Sequence, residues 1–169
     1  MTSTRVRIIG ILVAVASGAA LAQTCPTGNP MVAPTSRYSD NNDGTVTDRE
    51  TGLMWKKCSE GQVGATCSGA ASSVNWTDAL NNASNTVFAG HGDWRVPSQR
   101  ELRSLVEFGC TLPAINTAVF PNTPTGVYYF SSTTFASGMQ FAWGTDFGEG
   151  QEQNVGKASL NRVRLVRGE

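Results

Sequence analysis

Gly92-Asp93-Trp94-Arg95-Val96-Pro97-Ser98-Gln99-Arg100-Glu101-Leu102-Arg103-Ser104-Leu105 carries three local instructions. Trp94 and Val96 share one side of a short extended segment. Pro97 has no N–H and pushes Val96 out of the helical region, so the extension must end there. A helix follows. Ser98 suits its N-cap, Glu101 three residues on completes a capping box, and Leu102, Leu105 and Val106 give an apolar stripe at helical spacing. This helix is expected to run to about Phe108.

Upstream, a second helix is expected from about Asn75 to Thr86. Trp76, Ala79, Leu80 and Ala83 fall on one face, and Asn75 with Asp78 forms a cap. Before it, the residues from Asp40 to Asp48 read as a turn running into a strand, and Thr51-Gly52 turns the chain into Leu53-Met54-Trp55, which makes a hairpin. Residues 23–36 hold Pro26, Pro30 and Pro34 without periodicity and read as an extended arm rather than a packed element. Downstream, residues 111–125 read as an ordered loop and Val127 to Ser132 as a strand. The stretch from Phe141 to Phe147 alternates aromatic with small or polar residues, the period of a half-buried strand, and Gly148-Glu149-Gly150 breaks it. A last strand is expected from about Asn161 to Arg167, free to pair near the N-terminal hairpin. Together these elements predict an α+β domain with a mixed or antiparallel sheet, two short helices and long ordered loops.

The first residues place Arg5 and Arg7 ahead of an apolar run from Ile8 to Ala16, closed by Ala20-Leu21-Ala22. This is the pattern of a secretory signal peptide over residues 1–22, and the run is too short to span a bilayer. No later stretch is apolar enough to span one either, so no transmembrane segment is expected in the mature chain. Cleavage after Ala22 leaves about 147 residues, one ordinary domain, with a net charge of about −2. No basic field is present to hold nucleic acid. All 4 cysteines lie in the exported part, where an oxidising compartment preserves disulfides. Three pairings exist. The glycine-rich stretch between Cys58 and Cys67 favours a local loop, leaving Cys25 to tie the arm to Cys110; the alternative leaves Cys25 unpaired or bonded between chains.

Several motifs stand in order along the chain: Asp43-Gly44-Thr45-Val46-Thr47-Asp48, Thr51-Gly52-Leu53-Met54-Trp55, Asp93-Trp94-Arg95-Val96-Pro97, Glu101-Leu102, Pro113-Ala114-Ile115-Asn116, Phe120-Pro121 and Val163-Arg164-Leu165-Val166-Arg167. In these the chain resembles the Lcl C-terminal domain family over about residues 37–168. The resemblance implies an exported bacterial domain, periplasmic, secreted or at the cell surface. For the collagen-like adhesin that gives the family its name, it implies trimerisation and binding of sulfated glycans through a basic surface. This chain has no collagen-like tract and is slightly acidic, so no ligand residue is carried over. Trp94-Arg95-Val96-Pro97 with Glu101, together with Val163-Arg164-Leu165, also resembles the C-type-lectin-like core of formylglycine-generating enzymes. That second resemblance concerns the fold. No cysteine follows Cys110, so copper-dependent oxidase chemistry is not expected.

The candidate site residues are each weighed against a structural role. Asp40, Asn42, Asp43 and Asp48 offer oxygens to a calcium ion, but their spacing is not that of an EF-hand and Asx-rich turns form without metal. We expect a plain turn and no cofactor, with calcium as the alternative. His91, the only histidine, reads as a loop residue. Phe120-Pro121-Asn122 resembles the Pro-Asn element of calcium-dependent lectins but lacks the preceding acid. Of the late aromatics, Tyr128, Tyr129, Phe130, Phe135, Phe141, Trp143 and Phe147, most are expected in the core, with Tyr129 and Phe135 as the exposed exceptions able to stack on sugars. Arg162, Arg164 and Arg167 form a candidate anion patch, joined by Arg95 or Arg100. The alternative pairs Arg95 and Arg164 with Asp93, Asp146 or Glu101.

These readings lead to an expected exported, non-catalytic binding or adhesion module of the bacterial envelope, with glycans as a ligand class considered. A structural or assembly component recognised by an envelope protein is the second reading, and an enzyme the third. The oligomeric state is left open.

Overall fold

The computed structural model describes residues 23–168, so the signal peptide read at 1–22 lies outside the described residues. Ser98 starts a helix as its surroundings require. Its hydroxyl accepts from the Glu101 N–H at 3.3 Å, and the Glu101 carboxylate accepts from the Ser98 N–H at 2.7 Å. In chain order the elements are a 3-10 turn (Thr35–Arg37), β1 (Tyr38–Asp40), β2 (Thr45–Asp48), β3 (Met54–Lys56), α1 (Trp76–Ser84), α2 (Gln99–Arg103), β4 (Tyr128–Thr134), β5 (Phe141–Asp146), β6 (Gln151–Gly156) and β7 (Val166–Arg167).

The strands form two antiparallel sheets, ordered β1-β2-β3-β7 and β4-β5-β6. The α+β class is as read. The period of two along β4 explains how the second sheet is covered. Tyr129 points into one core cluster with Trp55, Leu102 and Phe147, and Phe130 into another with Ala79, Ala83, Trp94 and Leu165. One face therefore packs on α2 and the other on α1. Two hydrogen bonds fix the layers: the Trp76 indole N–H donates to Ser131 O at 2.8 Å, and Ser132 N donates to Pro97 O at 2.7 Å.

The C-terminal segment stitches the two sheets together. Arg162 exchanges backbone hydrogen bonds with β4, Lys56 N donates to Leu165 O, and Val166 pairs with both Arg95 and β3. Because its partners change every two or three residues, the strand expected over residues 161–167 is reduced to Val166–Arg167. The second helix also stops earlier than its apolar stripe suggested. After Arg103 the backbone tightens, with Leu105 N donating to Leu102 O and Val106 N to Arg103 O, three residues back.

The arm differs most from its reading. It has no regular element before Thr35, yet it is docked: Thr24 bridges to Thr111, and Cys25 is bonded to Cys110. Fully buried Glu107 accepts from Val32 N at 3.1 Å, Ala33 N at 2.7 Å and Gly109 N at 2.9 Å. A lone carboxylate thus supplies the hydrogen bonds that a sheet would otherwise give the arm.

Candidate functional site: a polar cleft beside the disulfide loop

The turn between β1 and β2 is built by its own side chains. Asp40 accepts from Asn42 N at 2.9 Å, and Asp43 accepts from Thr45 N at 2.9 Å and from the Thr45 hydroxyl at 2.5 Å. Gly44 has φ +90°, and a Cβ there would stand 2.8 Å from Phe88 Cζ, so only glycine lets the turn close over that ring.

Facing this turn is the loop closed by Cys58–Cys67. Gln62 accepts from Ser59 N at 3.1 Å and donates to Asn122 O at 2.8 Å, and the Asn122 amide donates to Cys67 O at 2.8 Å. Between turn and loop lies a cleft of about 540 Å³, with Lys56, Lys57 and Phe88 among its walls. Lys57 Nζ sits 2.7 Å from the Asp40 carboxylate, which together with the Asn42 N–H holds Asp40 below the usual carboxylate range.

A second cleft of about 280 Å³ lies against α1. Val74, Ala79, Ala83 and Leu165 make it apolar, while Ser72 and Asn82 add polar groups. Glu60 lines this cleft and Lys56 lines the larger one; their charges meet at 2.6 Å, with Lys56 Nζ also 4.5 Å from the Phe88 ring centre. The two clefts therefore share a wall. Three carboxylates and two ammonium groups line the pair, and each ammonium is already engaged.

The structure sorts the sequence candidates. Asp40, Asn42 and Asp43 gather at the larger cleft, but Asp48 does not join them. It is fully buried beside Arg37 at 2.5 Å. Burial pushes its carboxyl up, and the Arg37, Thr51 and Glu50 N–H hydrogen bonds outweigh this and leave it low. Among the described residues, no three His, Cys, Asp or Glu side chains gather as a metal site. Asn122, in the lectin-like Phe120-Pro121-Asn122 element, spends its amide on the disulfide loop.

Tyr129 is not an exposed exception: it is fully buried, its hydroxyl 2.6 Å from the Ser59 hydroxyl, because its place on β4 faces the core. Phe135 is half-buried, edge-on to Trp143 at 5.2 Å.

The three arginines do not form a patch. Arg162 donates to Ala71 O and to the Ser73 hydroxyl, and Arg167 pairs with Asp93 at 2.7 Å. Arg164 is fully buried and, among the described residues, pairs with no carboxylate. It donates to the carbonyls of Lys56 and Lys57 and to the Thr123 hydroxyl at 2.8 Å, under the Phe120 ring at 4.9 Å. Burial pulls its pKa down. Arg95 does pair internally, with Glu101 at 2.8 Å.

Sequence reasoning missed Lys56, Lys57, Gln62 and Phe88. Phe88 is distant in the chain from the other three and all four from the Asx-rich turn, and only the short cysteine spacing hinted that two loops would face each other.

These features define a disulfide-stapled α+β domain of two antiparallel sheets with a double cleft whose carboxylates outnumber its ammonium groups. The Lcl C-terminal domain family model matches residues 44–167, and the chain belongs to that family. No curated protein matches it in sequence. Among the described residues no helix is long and apolar enough to cross a membrane, and the two disulfides are of the kind that an oxidising compartment outside the cytoplasm preserves.

Proposed function

We propose that the chain is an exported, non-catalytic binding module of the bacterial cell envelope whose larger cleft takes a carbohydrate. The observation that carries this reading is the cleft between the Asp40–Gly44 turn and the disulfide loop. Its carboxylates, amides and ammonium groups are held in place by hydrogen bonds and by a covalent staple before any ligand arrives. Fixed polar groups beside a partly exposed aromatic ring suit a neutral polyhydroxylated ligand, which needs directional hydrogen bonds more than charge.

The mature protein on a glycan array at physiological salt tests the reading. Saturable binding is expected, and Ala65→Trp, which fills the cleft from an exposed loop position, should abolish it while leaving the thermal transition in place. Absence of binding to any glycan or envelope extract would overturn it.

A second reading, a structural or assembly component recognised by a protein, draws support from exposed Met31, Val32, Phe108 and Leu112 near the Cys25–Cys110 bond. Crosslinking in the native cell separates the two, since a stable protein complex without glycan affinity favours the second.

A further inference from the structure

We infer that the two clefts bind one extended ligand, a neutral oligosaccharide containing N-acetylated amino sugars, with an acetamido group seated in the smaller cleft. The inference rests on the carbohydrate reading above and names the ligand class for the same site.

Charge is the first argument. Asp40, Asp43 and Glu60 outnumber Lys56 and Lys57 along the walls, and both ammonium groups hold carboxylates at 2.7 Å or closer. A sulfated or phosphorylated chain would have to break those pairs and meet the released carboxylates. A neutral chain breaks nothing.

The smaller cleft supplies the second argument. Val74, Ala79, Ala83, Val163 and Leu165 give it an apolar floor. An acetyl methyl seated there loses no hydration worth keeping, whereas a free amino sugar would have to compete with Lys56 for the Glu60 carboxylate that lines the same cleft. Exposed Asn82 and Ser72 offer an amide and a hydroxyl to the acetamide carbonyl and N–H. In the larger cleft, Asp40, Asn42 and Asp43 present acceptor oxygens to ring hydroxyls.

Continuity is the third. The Lys56–Glu60 pair gives one residue to each cleft, so the clefts adjoin at this ion pair and a ligand filling both would cross it. The cleft volumes, about 280 and 540 Å³, suit a few sugar rings in all.

The test is calorimetric titration of the mature protein with chitotriose and with cellotriose, which share linkage and neutrality and differ in acetamido against hydroxyl. Chitotriose should bind roughly tenfold tighter, the effect of one buried methyl and its accompanying hydrogen bonds. Asn82→Ala, at an exposed helix position, should remove most of that preference without lowering the thermal transition, and Ala65→Trp should weaken both sugars. Equal affinities, or tighter binding of a heparin-derived trisaccharide, would overturn the inference and leave the carbohydrate reading standing. Binding of other array glycans but of neither trisaccharide would do the same. No binding of any sugar here or on the array would remove both.

Discussion

Cys25–Cys110 spans 85 residues and Cys58–Cys67 only 9, and the chain around each bond differs in kind. The long-range bond ties exposed Cys25 to buried Cys110. The arm it ties down hydrogen-bonds to Glu107 and to Thr111, and Ala33 is wholly buried. The short-range bond joins half-buried Cys58 to fully buried Cys67, and the loop it closes presents exposed Val63, Gly64 and Ala65 to the larger cleft. One bond holds the scaffold together, and the other holds a wall in position. A covalent link that restricts the unfolded chain stabilises more as its loop lengthens, whereas its influence on a site depends only on what it touches in the folded state.

The largest effect should come from breaking the long-range bond. In the chain-entropy account, Cys25→Ala with Cys110→Ala costs about 4.6 kcal/mol, read as a drop in urea midpoint. Glycan affinity of the folded fraction should be unchanged, and equal losses of affinity and stability would erase the distinction.

Cys58→Ser with Cys67→Ser should cost less stability, about 2.7 kcal/mol, and should abolish binding to array glycans. Retained affinity in this variant would mean that the wall holds without its staple.

Glu107→Gln comes next. Its amide keeps one acceptor oxygen but turns a donor toward arm N–H groups, which costs about 2 kcal/mol through unsatisfied buried donors. Faster amide exchange at Val32 and Ala33 is the local readout.

The smallest effect is acid sensitivity. Arg95, chiefly, pulls the Glu101 carboxyl from 4.5 to about 2, so its stabilisation is complete above the unfolded value and is lost as pH falls from about 4.5 toward 2. Asp48, also lowered, acts in the same direction. Both belong to the scaffold, so urea midpoints of the wild type and the Cys58→Ser, Cys67→Ser variant should fall in parallel below pH 4.5. A steeper fall in the variant would assign the acid response to the cleft.

The same division explains what was legible in the chain. The Ser98–Glu101 box, the Asn75 cap that accepts from Asp78 N at 2.9 Å, and the turn at Asp43-Gly44 depend on neighbours within four residues, and they stand where the residue types put them. β6 does not. Gln151, Glu152, Gln153 and Asn154 carry no apolar period, and the strand exists because β5 offers it a ladder. Arg162 and Arg164 alternate as a strand face would, yet one reaches Ala71 and the other satisfies carbonyls of β3 and its following residue. Their fates were set by which unpaired backbone groups lay nearby, a fact of three dimensions. The double cleft was invisible for the same reason, since its walls come from separate stretches of chain, residues 40–44, 56–65, 72–88 and 163–165, that only the packed sheets bring together.

The C-terminal seam also has a consequence in time. Residues 161–167 place Val166 between Arg95 and β3 and join Lys56 to Leu165, partners that stand far apart in the chain. The β4-β5-β6 meander can form from neighbours in sequence, but sewing the two sheets together requires long-range pairing. The contacts that join the two sheets are thereby the ones with the longest loops to close, so the seam is the slowest part of the fold to complete.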